Sequence, residues 1–308
     1  MERPSSGRPV AGQLLHDAGL ADYTSWRVGG PADRLYLPLD SADLLSFLAG
    51  GGAGDESVFW LGLGSNLLIR DGGIRGLVIC TKGRLRRLER LGEHRVFVES
   101  GVPCAHVAKF CGDQGWCGAE FLAGIPGTMG GALAMNAGAF GGETWPLVER
   151  VWTMTDRGVE RWRSRDEFMI GYRSVVGLAP DECFLGAELQ LAPGDAGSSR
   201  QRIRELLARR SATQPTNMPS CGSVFRNPVG DHAGRLIEEC GLKGHSIGGA
   251  QVSPKHANFI VNTGHATARD IESMIQFVRD TVRDRHGIDL QPEVRIVGTE
   301  RPAGSPDP

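Results

Sequence analysis

The sequence predicts an α+β fold, and three observations lead to this class. Residues 34–81 alternate between strand and helix patterns around a glycine-rich turn, as nucleotide-binding units do. Residues 267–286 repeat apolar side chains at helical spacing and are followed by one more strand pattern. The 308 residues, 40% of them hydrophobic and 23% charged, are enough for two or three globular domains.

The elements predicted for the first half are short. Asp40 or Ser41 can cap the first helix, and Pro103 suits the first turn of the second because it lacks the N–H that would be unpaired there. Residues 156–157 predict a hairpin turn, and the Gly- and Ser-rich residues 193–199 predict a linker. In order, we expect strands at 35–38, 58–61, 77–80 and 96–99, helices at 42–48 and 103–113, hairpin strands at 148–155 and 158–163, and a strand at 183–191.

The second half contains more helix. Gly241 and Gly287 predict helix ends, because glycine readily takes the left-handed conformation that terminates a helix. The last helix has one apolar face, made of Ile271, Met274, Ile275, Val278 and Val282. In order, we expect a charged helix at 200–210, a loop at 214–220, a helix at 233–240, a strand at 257–262, a helix at 267–286, a strand at 294–297 and a disordered tail at 301–308.

Composition argues against several classes of function. A net charge of −2 provides no general basic surface for nucleic acid. The longest apolar runs are too short to cross a membrane, and residues 1–15 lack the apolar region and cleavage site of a signal peptide. The seven cysteines contain no CxxC pair, which indicates reduced thiols in a cytoplasmic protein. Cys104 and His106 have no further ligands at metal spacing, so we expect no metal site.

Two glycine-rich segments are the best candidates for a binding site. Gly62–Asn66 follows a strand pattern, and by itself it is equally compatible with a tight turn. Gly124–Gly142 has seven glycines in nineteen residues and no charged residue, and we expect it to be a long loop. Glycine lets another group approach the backbone closely, and exposed backbone N–H groups bind anions. Together the two segments indicate a large ligand with a diphosphate.

The combined motifs of the chain closely resemble the UDP-N-acetylenolpyruvoylglucosamine reductase family. They keep the family's order between residues 24 and 298, and seven ordered motifs make a specific match. The matching segments are TSWRVGGPAD (24–33), LGLGSNLL (61–68), AEFLAGIPGTMGGALAMNAGAFGG (119–142), GYRS (171–174), PSCGSVFRNP (219–228), RLIEECGLKGHSIGGAQVSPKHANFIVN (235–262) and PEVRIVG (292–298).

The resemblance implies an FAD-binding module of the vanillyl-alcohol-oxidase/PCMH type in two subdomains, with an α+β substrate-binding lobe. The implied parts are 1–80 with the returning strand 289–300, then 81–198, and 199–288 for the substrate lobe. The resemblance also implies non-covalent FAD. The residues expected to hold it are Arg27, Gly29, Gly62, Gly64, Ser65, Asn66, Leu67, Ile125, Pro126, Gly127, Thr128, Gly130, Gly131, Asn136, Ala137 and Gly138.

The implied reaction belongs to peptidoglycan precursor synthesis. NADPH would reduce FAD, which would then reduce UDP-N-acetylglucosamine enolpyruvate to UDP-N-acetylmuramate. The resemblance assigns catalysis to three residues: Arg173 and Glu293 would polarise or protonate the substrate carboxylate, and Ser223 would give a proton to C2 of the enol ether. Further substrate contacts are implied for Tyr172, Arg226, Asn227, Lys255 and His256.

Two departures from the family pattern qualify the resemblance. Leu63 stands where many relatives have a third glycine. The interval between Arg173 and Ser223 is too short for the tyrosine-bearing loop of one family branch, so the chain resembles the shorter branch. We expect a monomer or a weak dimer.

Two other functions remain open from the sequence. Another FAD oxidoreductase on the same module would share the glycine segments without needing Ser223 and Glu293, and covalent flavin would favour it. A cofactor-free UDP-sugar-binding or acyl-transfer protein would purify without flavin absorbance.

Overall fold

The computed structural model describes residues 10–301. Residues 1–9, which belong to the segment predicted to lack a signal peptide, and residues 302–308 of the predicted tail lie outside the described residues. The strands are β1 (Gln13–Gly19), β2 (Pro31–Leu37), β3 (Val58–Leu61), β4 (Leu67–Ile69), β5 (Ile74–Cys80), β6 (Leu88–Gly92), β7 (Arg95–Glu99), β8 (Trp116–Cys117), β9 (Gly138–Ala139), β10 (Gly142–Glu143), β11 (Val148–Thr155), β12 (Glu160–Ser164), β13 (Met169–Gly171), β14 (Ser174–Val176), β15 (Glu182–Gln190), β16 (Ala192–Pro193), β17 (Ser246–Ile247), β18 (Ala250–Val252), β19 (Ile260–Asn262) and β20 (Arg295–Val297). The α-helices are α1 (Ser41–Ala49), α2 (Cys104–Asp113), α3 (Met129–Met135), α4 (Ala196–Thr213), α5 (Ala233–Glu239) and α6 (Ala268–His286).

The chain forms two compact units, and the first comprises residues 10–16, 34–62 and 76–206. Its largest sheet is antiparallel, with the strand order β12–β11–β15–β7–β6. Val96, Val98 and Ala187 of this sheet share a core with Val107 of α2 and Leu133 of α3. A second sheet, ordered β1–β2–β5–β3, contains the parallel pair β3 and β5, and α1 joins its core. The mixture of helix and antiparallel sheet confirms the predicted α+β class.

The second unit comprises residues 17–33, 63–75 and 207–301. Its antiparallel sheet β17–β18–β19 packs against α6, and all five residues of the predicted apolar face are buried. Thr267 and Asp270 form a reciprocal capping box at the start of α6. Gly287 ends the helix with a φ of +69°, as the sequence predicted.

This division differs from the three parts predicted from the sequence. Residues 63–75 group with the C-terminal part because β4 pairs in parallel with β20. Asp71 also accepts hydrogen bonds from the N–H groups of Ala268 and Arg269, at 2.9 and 3.0 Å. A carboxylate stabilises a helix N-terminus in this way. Arg70 adds an ion pair with Glu272 of α6, at 2.7 Å.

The linker predicted at 193–199 is wrong, because α4 begins at Ala196. The Asp195 carboxylate accepts a hydrogen bond from the Ser198 N–H at 2.7 Å and satisfies a donor of the first turn. Ser199 is buried, and its hydroxyl donates to Glu120 at 2.8 Å. The small polar residues therefore begin the charged helix, which is longer than the predicted 200–210.

The prediction of a loop throughout 124–142 is also wrong. The segment contains α3 and the short hairpin of β9 and β10. Met129, Ala132 and Leu133 of α3 are buried in the core of the first unit. Small apolar residues favour this outcome because they let a helix pack closely on its neighbours.

The other predicted elements are confirmed, with shifts at their ends. Strands β3 and β11 have the predicted bounds, whereas the strand expected at 257–262 is shortened to β19. The shortening arises because residues 257–258 form a turn whose Asn258 side chain bonds to the backbone of Phe225. Between residues 10 and 301, no helix combines the length and the apolar character needed to cross a bilayer.

Candidate functional site

The glycine-rich segment of the first unit places bare backbone on one side of α3. Gly130 lies against the core, because an added Cβ would be 2.8 Å from the Cβ of Ser100. Gly131 is exposed, and an added Cβ would meet no atom within 4 Å. The residues just before α3 pair with the segment that precedes α2. The N–H of Cys104 donates to Gly127 O at 2.9 Å, and Thr128 forms an isolated antiparallel β-bridge with Pro103. One glycine thus serves packing, and its neighbour leaves open backbone.

Two hydroxyls beside this segment have no hydrogen-bond partner among the described residues. Thr128 Oγ1 and Ser100 Oγ are both buried, and each residue is at most 2% exposed. Gly62 lies beside the first, since an added Cβ would be 2.6 Å from Thr128 Oγ1. A buried hydroxyl without a partner is costly unless a ligand or water satisfies it. These residues fit a polar group of a bound cofactor.

Asn136 connects the glycine-rich segment to the hairpin of β13 and β14. Its side chain is fully buried, and its amide nitrogen donates to Gly171 O at 3.1 Å and to Glu143 Oε2 at 3.0 Å. Its oxygen accepts from the N–H of Trp145 at 3.1 Å. The side chain is therefore committed to contacts within the protein, although the sequence predicted Asn136 among the FAD contacts.

Arg173 lies in the two-residue turn of that hairpin, since Gly171 pairs with Ser174. Its guanidinium donates to Gly138 O at 2.8 Å and to Asn136 O at 3.5 Å. It also lies over the ring of Tyr172, 5.1 Å from the centroid, and that ring is exposed. The turn gives Arg173 a φ of +53°, an uncommon value for a residue with a side chain.

The second unit holds the other predicted cofactor residues. Gly64 has a φ of +65°, and a Cβ there would collide with the backbone of Tyr23 and Thr24. Arg27 is exposed with a φ of +59°, and Gly29 has a φ of +129°. Ser65, Asn66 and Leu67 follow Gly64, and all three are half-buried.

The structure brings the predicted Ser223 and Glu293 segments together in the second unit. The N–H of Glu293 donates to Val224 O at 2.7 Å, directly after Ser223 in the chain. Asn66 Nδ2 donates to Glu293 O at 3.0 Å, and the N–H of Arg295 donates to Asn66 O at 3.0 Å. Both side chains, of Ser223 and Glu293, are half-buried. A predicted cofactor residue thus directly supports the backbone of a predicted catalytic residue.

Cys221 is a buried cysteine close to the Ser223 and Glu293 segments. Burial raises the pKa of its thiol, and the electrostatic influence of the nearby Glu293 carboxyl raises that pKa further. The thiol is therefore neutral and unreactive at ordinary pH. The predicted catalytic groups beside Cys221 are the Ser223 hydroxyl and the Glu293 carboxyl.

The predicted substrate residues of the second unit have different surroundings. Arg226 is half-buried and its N–H donates to Gln291 O at 2.9 Å, whereas Asn227 is exposed and accepts from the N–H of Ala233 at 3.2 Å. Lys255 is exposed, and its ammonium group bonds to the carbonyl of Ser211 near the end of α4. His256 is half-buried. Burial and then the charge of Lys243 lower its pKa, which favours the neutral imidazole.

Sequence reasoning missed Asn258, which shapes the Ser223 segment. Its carbonyl accepts from the N–H of Val224 at 2.9 Å, and its side chain exchanges two hydrogen bonds with the backbone of Phe225. A polar residue inside the apolar run 257–262 was the available signal. Its partners lie 33 residues away, so no local pattern identifies them.

A cavity of about 410 Å³ on the large sheet of the first unit is lined by Arg87, Trp152, Glu160, Arg161 and Trp162, and none of these is a predicted site residue. Within residues 10–301, no cluster of three His, Cys, Asp or Glu side chains has the arrangement of a metal site.

Comparisons with known proteins match both halves of the chain. A family model described as "UDP-N-acetylenolpyruvoylglucosamine reductase, C-terminal domain" matches residues 214–297, and one described as "FAD binding domain" matches residues 32–161. The curated UDP-N-acetylenolpyruvoylglucosamine reductase of Methylococcus capsulatus is 63% identical over 94% of this chain and 95% of its own. That of Alkalilimnicola ehrlichii is 58% identical over 93% and 95%. The crystal structure of the reductase from Thermus caldophilus is similar, with a TM-score of 0.79 and 32% identity over 93% of this chain and 98% of that one.

Proposed function

The chain belongs to the UDP-N-acetylenolpyruvoylglucosamine reductase family, and from this premise we propose how its residues perform that reaction. The protein is an FAD-dependent oxidoreductase that reduces UDP-N-acetylglucosamine enolpyruvate to UDP-N-acetylmuramate, a peptidoglycan precursor, with a nicotinamide donor. Its FAD-binding module and α+β fold are those predicted from the sequence. The observation that carries the assignment of roles is the backbone bond that joins the Ser223 and Glu293 segments.

FAD, when bound, supplies hydride transfer from the nicotinamide to the enolpyruvyl double bond. In the first unit, we assign its binding to Gly62, Thr128, Gly130 and Gly131 and to the backbone of the other residues between 125 and 138. The unpartnered buried hydroxyl of Thr128 and the open backbone at Gly131 support this assignment. In the second unit, Arg27, Gly29 and residues 64–67 complete the set. Their glycines and left-handed backbone suit close approach of a diphosphate.

Arg173 serves as the cation beside the substrate carboxylate. Its guanidinium is oriented by the carbonyls of Gly138 and Asn136. An arginine guanidinium is positively charged and forms strong hydrogen bonds with carboxylates. That charge stabilises the negative charge that develops at C2 and spreads into the carboxylate during reduction.

Ser223 serves as the proton donor to C2, and Glu293 as the second group that polarises the carboxylate. A serine hydroxyl is a weak acid, so it transfers a proton only to a strongly basic carbon held within hydrogen-bond distance. Positioning is therefore decisive. Val224 and Asn258 fix the backbone of the Ser223 segment, while Val224 and Asn66 fix that of Glu293.

We also propose the nicotinamide donor, the substrate contacts and the domain boundaries. NADPH is the assigned nicotinamide donor, and Tyr172, Arg226, Asn227, Lys255 and His256 are the assigned substrate contacts. Residues 1–80 with 289–300, and residues 81–198, are the two FAD-binding subdomains, and residues 199–288 the substrate domain. We further propose a monomer or weak dimer in the cytoplasm, and the seven free cysteines agree with a reducing compartment.

Stopped-flow absorbance of the bound flavin tests the proposal. The purified protein is mixed with NADPH under anaerobic conditions, and then with UDP-N-acetylglucosamine enolpyruvate. We expect bleaching in the first step and recovery of the oxidised spectrum in the second. NADH in place of NADPH measures the donor preference. Bleaching without recovery would contradict the substrate assignment and leave the FAD-binding fold unaffected.

A further inference from the structure

We propose that Asn136 is a positioning residue for Arg173 and that its side chain does not contact FAD. The inference rests on the proposed role of Arg173 at the substrate carboxylate. It assigns a task to a residue that the motif resemblance placed among the cofactor contacts.

The first argument is the use of the Asn136 amide. A carboxamide has two N–H donors and one acceptor oxygen. Both donors are used, by Gly171 and Glu143, and the oxygen accepts from the N–H of Trp145. The residue is 0% exposed, so its side chain presents no polar atom to a cofactor.

The second argument is the geometry of the hairpin. Gly171 begins the two-residue turn that carries Tyr172 and Arg173, and the Asn136 amide holds its carbonyl. The guanidinium at the end of the same turn returns to the backbone oxygens of Asn136 and Gly138. The Asn136 side chain therefore holds the first residue of the turn, and the backbone oxygens of Asn136 and Gly138 hold the Arg173 guanidinium.

The third argument is backbone strain. Asn136 has a φ of +44° at the end of α3, and Arg173 has a φ of +53°. Asparagine tolerates the left-handed region better than most residues, but arginine there is uncommon. Left-handed residues with side chains persist only where the surrounding contacts impose them. One hydrogen bond joins these two residues directly, and the Asn136 amide holds Gly171 in the same turn, so both contacts constrain the arginine.

A pair of substitutions separates positioning from folding. Asn136→Gly removes the side chain and keeps a residue that adopts positive φ without strain. Thr144→Val is the matched control, because it removes the hydrogen bond from the hydroxyl of the buried Thr144 to Ala137 O, at 2.7 Å, and this side chain makes no bond to the hairpin. The FAD dissociation constant, the two half-reactions and hydrogen exchange of residues 169–176 are then measured.

We expect Asn136→Gly to bind FAD and accept hydride from NADPH at the wild-type rate. Its reoxidation by the enolpyruvyl substrate should slow on the order of 10²-fold, a loss that a displacement of about 1 Å can cause. Exchange of the hairpin amides should accelerate in Asn136→Gly and not in Thr144→Val. Asn136→Asp combined with Glu143→Gln restores the hydrogen bond between positions 136 and 143, with the residue at 143 now the donor. This double variant should recover part of the rate lost in Asn136→Asp.

Three results would overturn the inference. The first is weaker FAD binding in Asn136→Gly, with both half-reactions slowed until excess FAD restores their rates. The second is an equal loss in both half-reactions, as a folding defect would produce. The third is unchanged hairpin exchange, which is measured without any substrate. A wild-type flavin that the enolpyruvyl substrate cannot reoxidise would instead refute the proposed function, so the two failures remain distinct.

Discussion

Gly131→Ala separates the cofactor role of α3 from its structural role. Gly131 is an exposed residue of a helix, and an added Cβ meets no protein atom within 4 Å. Alanine is about 1 kcal/mol more favourable than glycine in a helix interior. The protein without cofactor should therefore become more stable by up to about 1 kcal/mol, which raises its Tm by about 2–4 °C for a unit of this size.

FAD binding should change in the opposite direction. If the cofactor approaches the backbone at Gly131, the new methyl group occupies space that the ligand needs. Overpacking of this kind costs about 1–3 kcal/mol. The dissociation constant should thus rise roughly 5- to 150-fold. The structure predicts this divergence because the space around the methyl group contains no protein side chain.

The assay combines thermal unfolding of the apoprotein with titration of FAD fluorescence. Gly130→Ala is the contrast, since its Cβ would be 2.8 Å from that of Ser100 and the variant should lose apoprotein stability. Unchanged FAD affinity in a stabilised Gly131→Ala protein would refute the reasoning, because the cofactor would then not approach this glycine.

Other predictions concern catalysis and stability. The flavin of Ser223→Ala should still be reduced by NADPH but should not be reoxidised by the enolpyruvyl substrate. Normal turnover would disprove the role of Ser223 as proton donor. Ser246→Ala, at an exposed position of a strand, is the control. Asp43→Asn should lower the free energy of unfolding at pH 7 by about 2 kcal/mol or more, since the buried carboxylate accepts hydrogen bonds from Tyr36 and three backbone N–H groups. Burial alone would raise the pKa of Asp43, but these bonds outweigh it and lower the pKa below its usual 3.8. The stabilisation is therefore complete above about pH 4 and is lost as pH falls through the lower folded pKa, so urea unfolding of wild type and variant should converge in acid; a constant difference down to pH 2 would contradict this origin.

Local sequence patterns predicted the regular elements well where one period dominates. The apolar face of α6 and the glycine at its end identify that helix, because burial of one face is the main source of its stability. The patterns failed at 193–199 and 124–142, where composition suggested loops. In the first case Asp195 caps a helix, and in the second small residues pack α3 into a core. Composition alone cannot show which small residues have a packing partner.

The candidate site was only partly accessible from the sequence. The motifs identified Ser223 and Glu293, but they did not show that a backbone hydrogen bond joins the two segments, which lie about 70 positions apart. The bond from Asn66 to Glu293 spans 227 positions. Asn258 was missed altogether, because its contribution is the support of a distant segment and no motif records that.

The sequence by itself determined the family and the α+β class, and it predicted a diphosphate site at the glycine segments and the chemical groups of the reaction. These properties follow from residue types and short spacings, which the linear order preserves. Tertiary structure alone decided which glycine leaves open backbone and which one packs, and it turned the Asn136 side chain toward the Arg173 hairpin. The physical reason is that a hydrogen bond and a packing contact depend on distance in space, and the folded chain brings together residues that no sequence period relates.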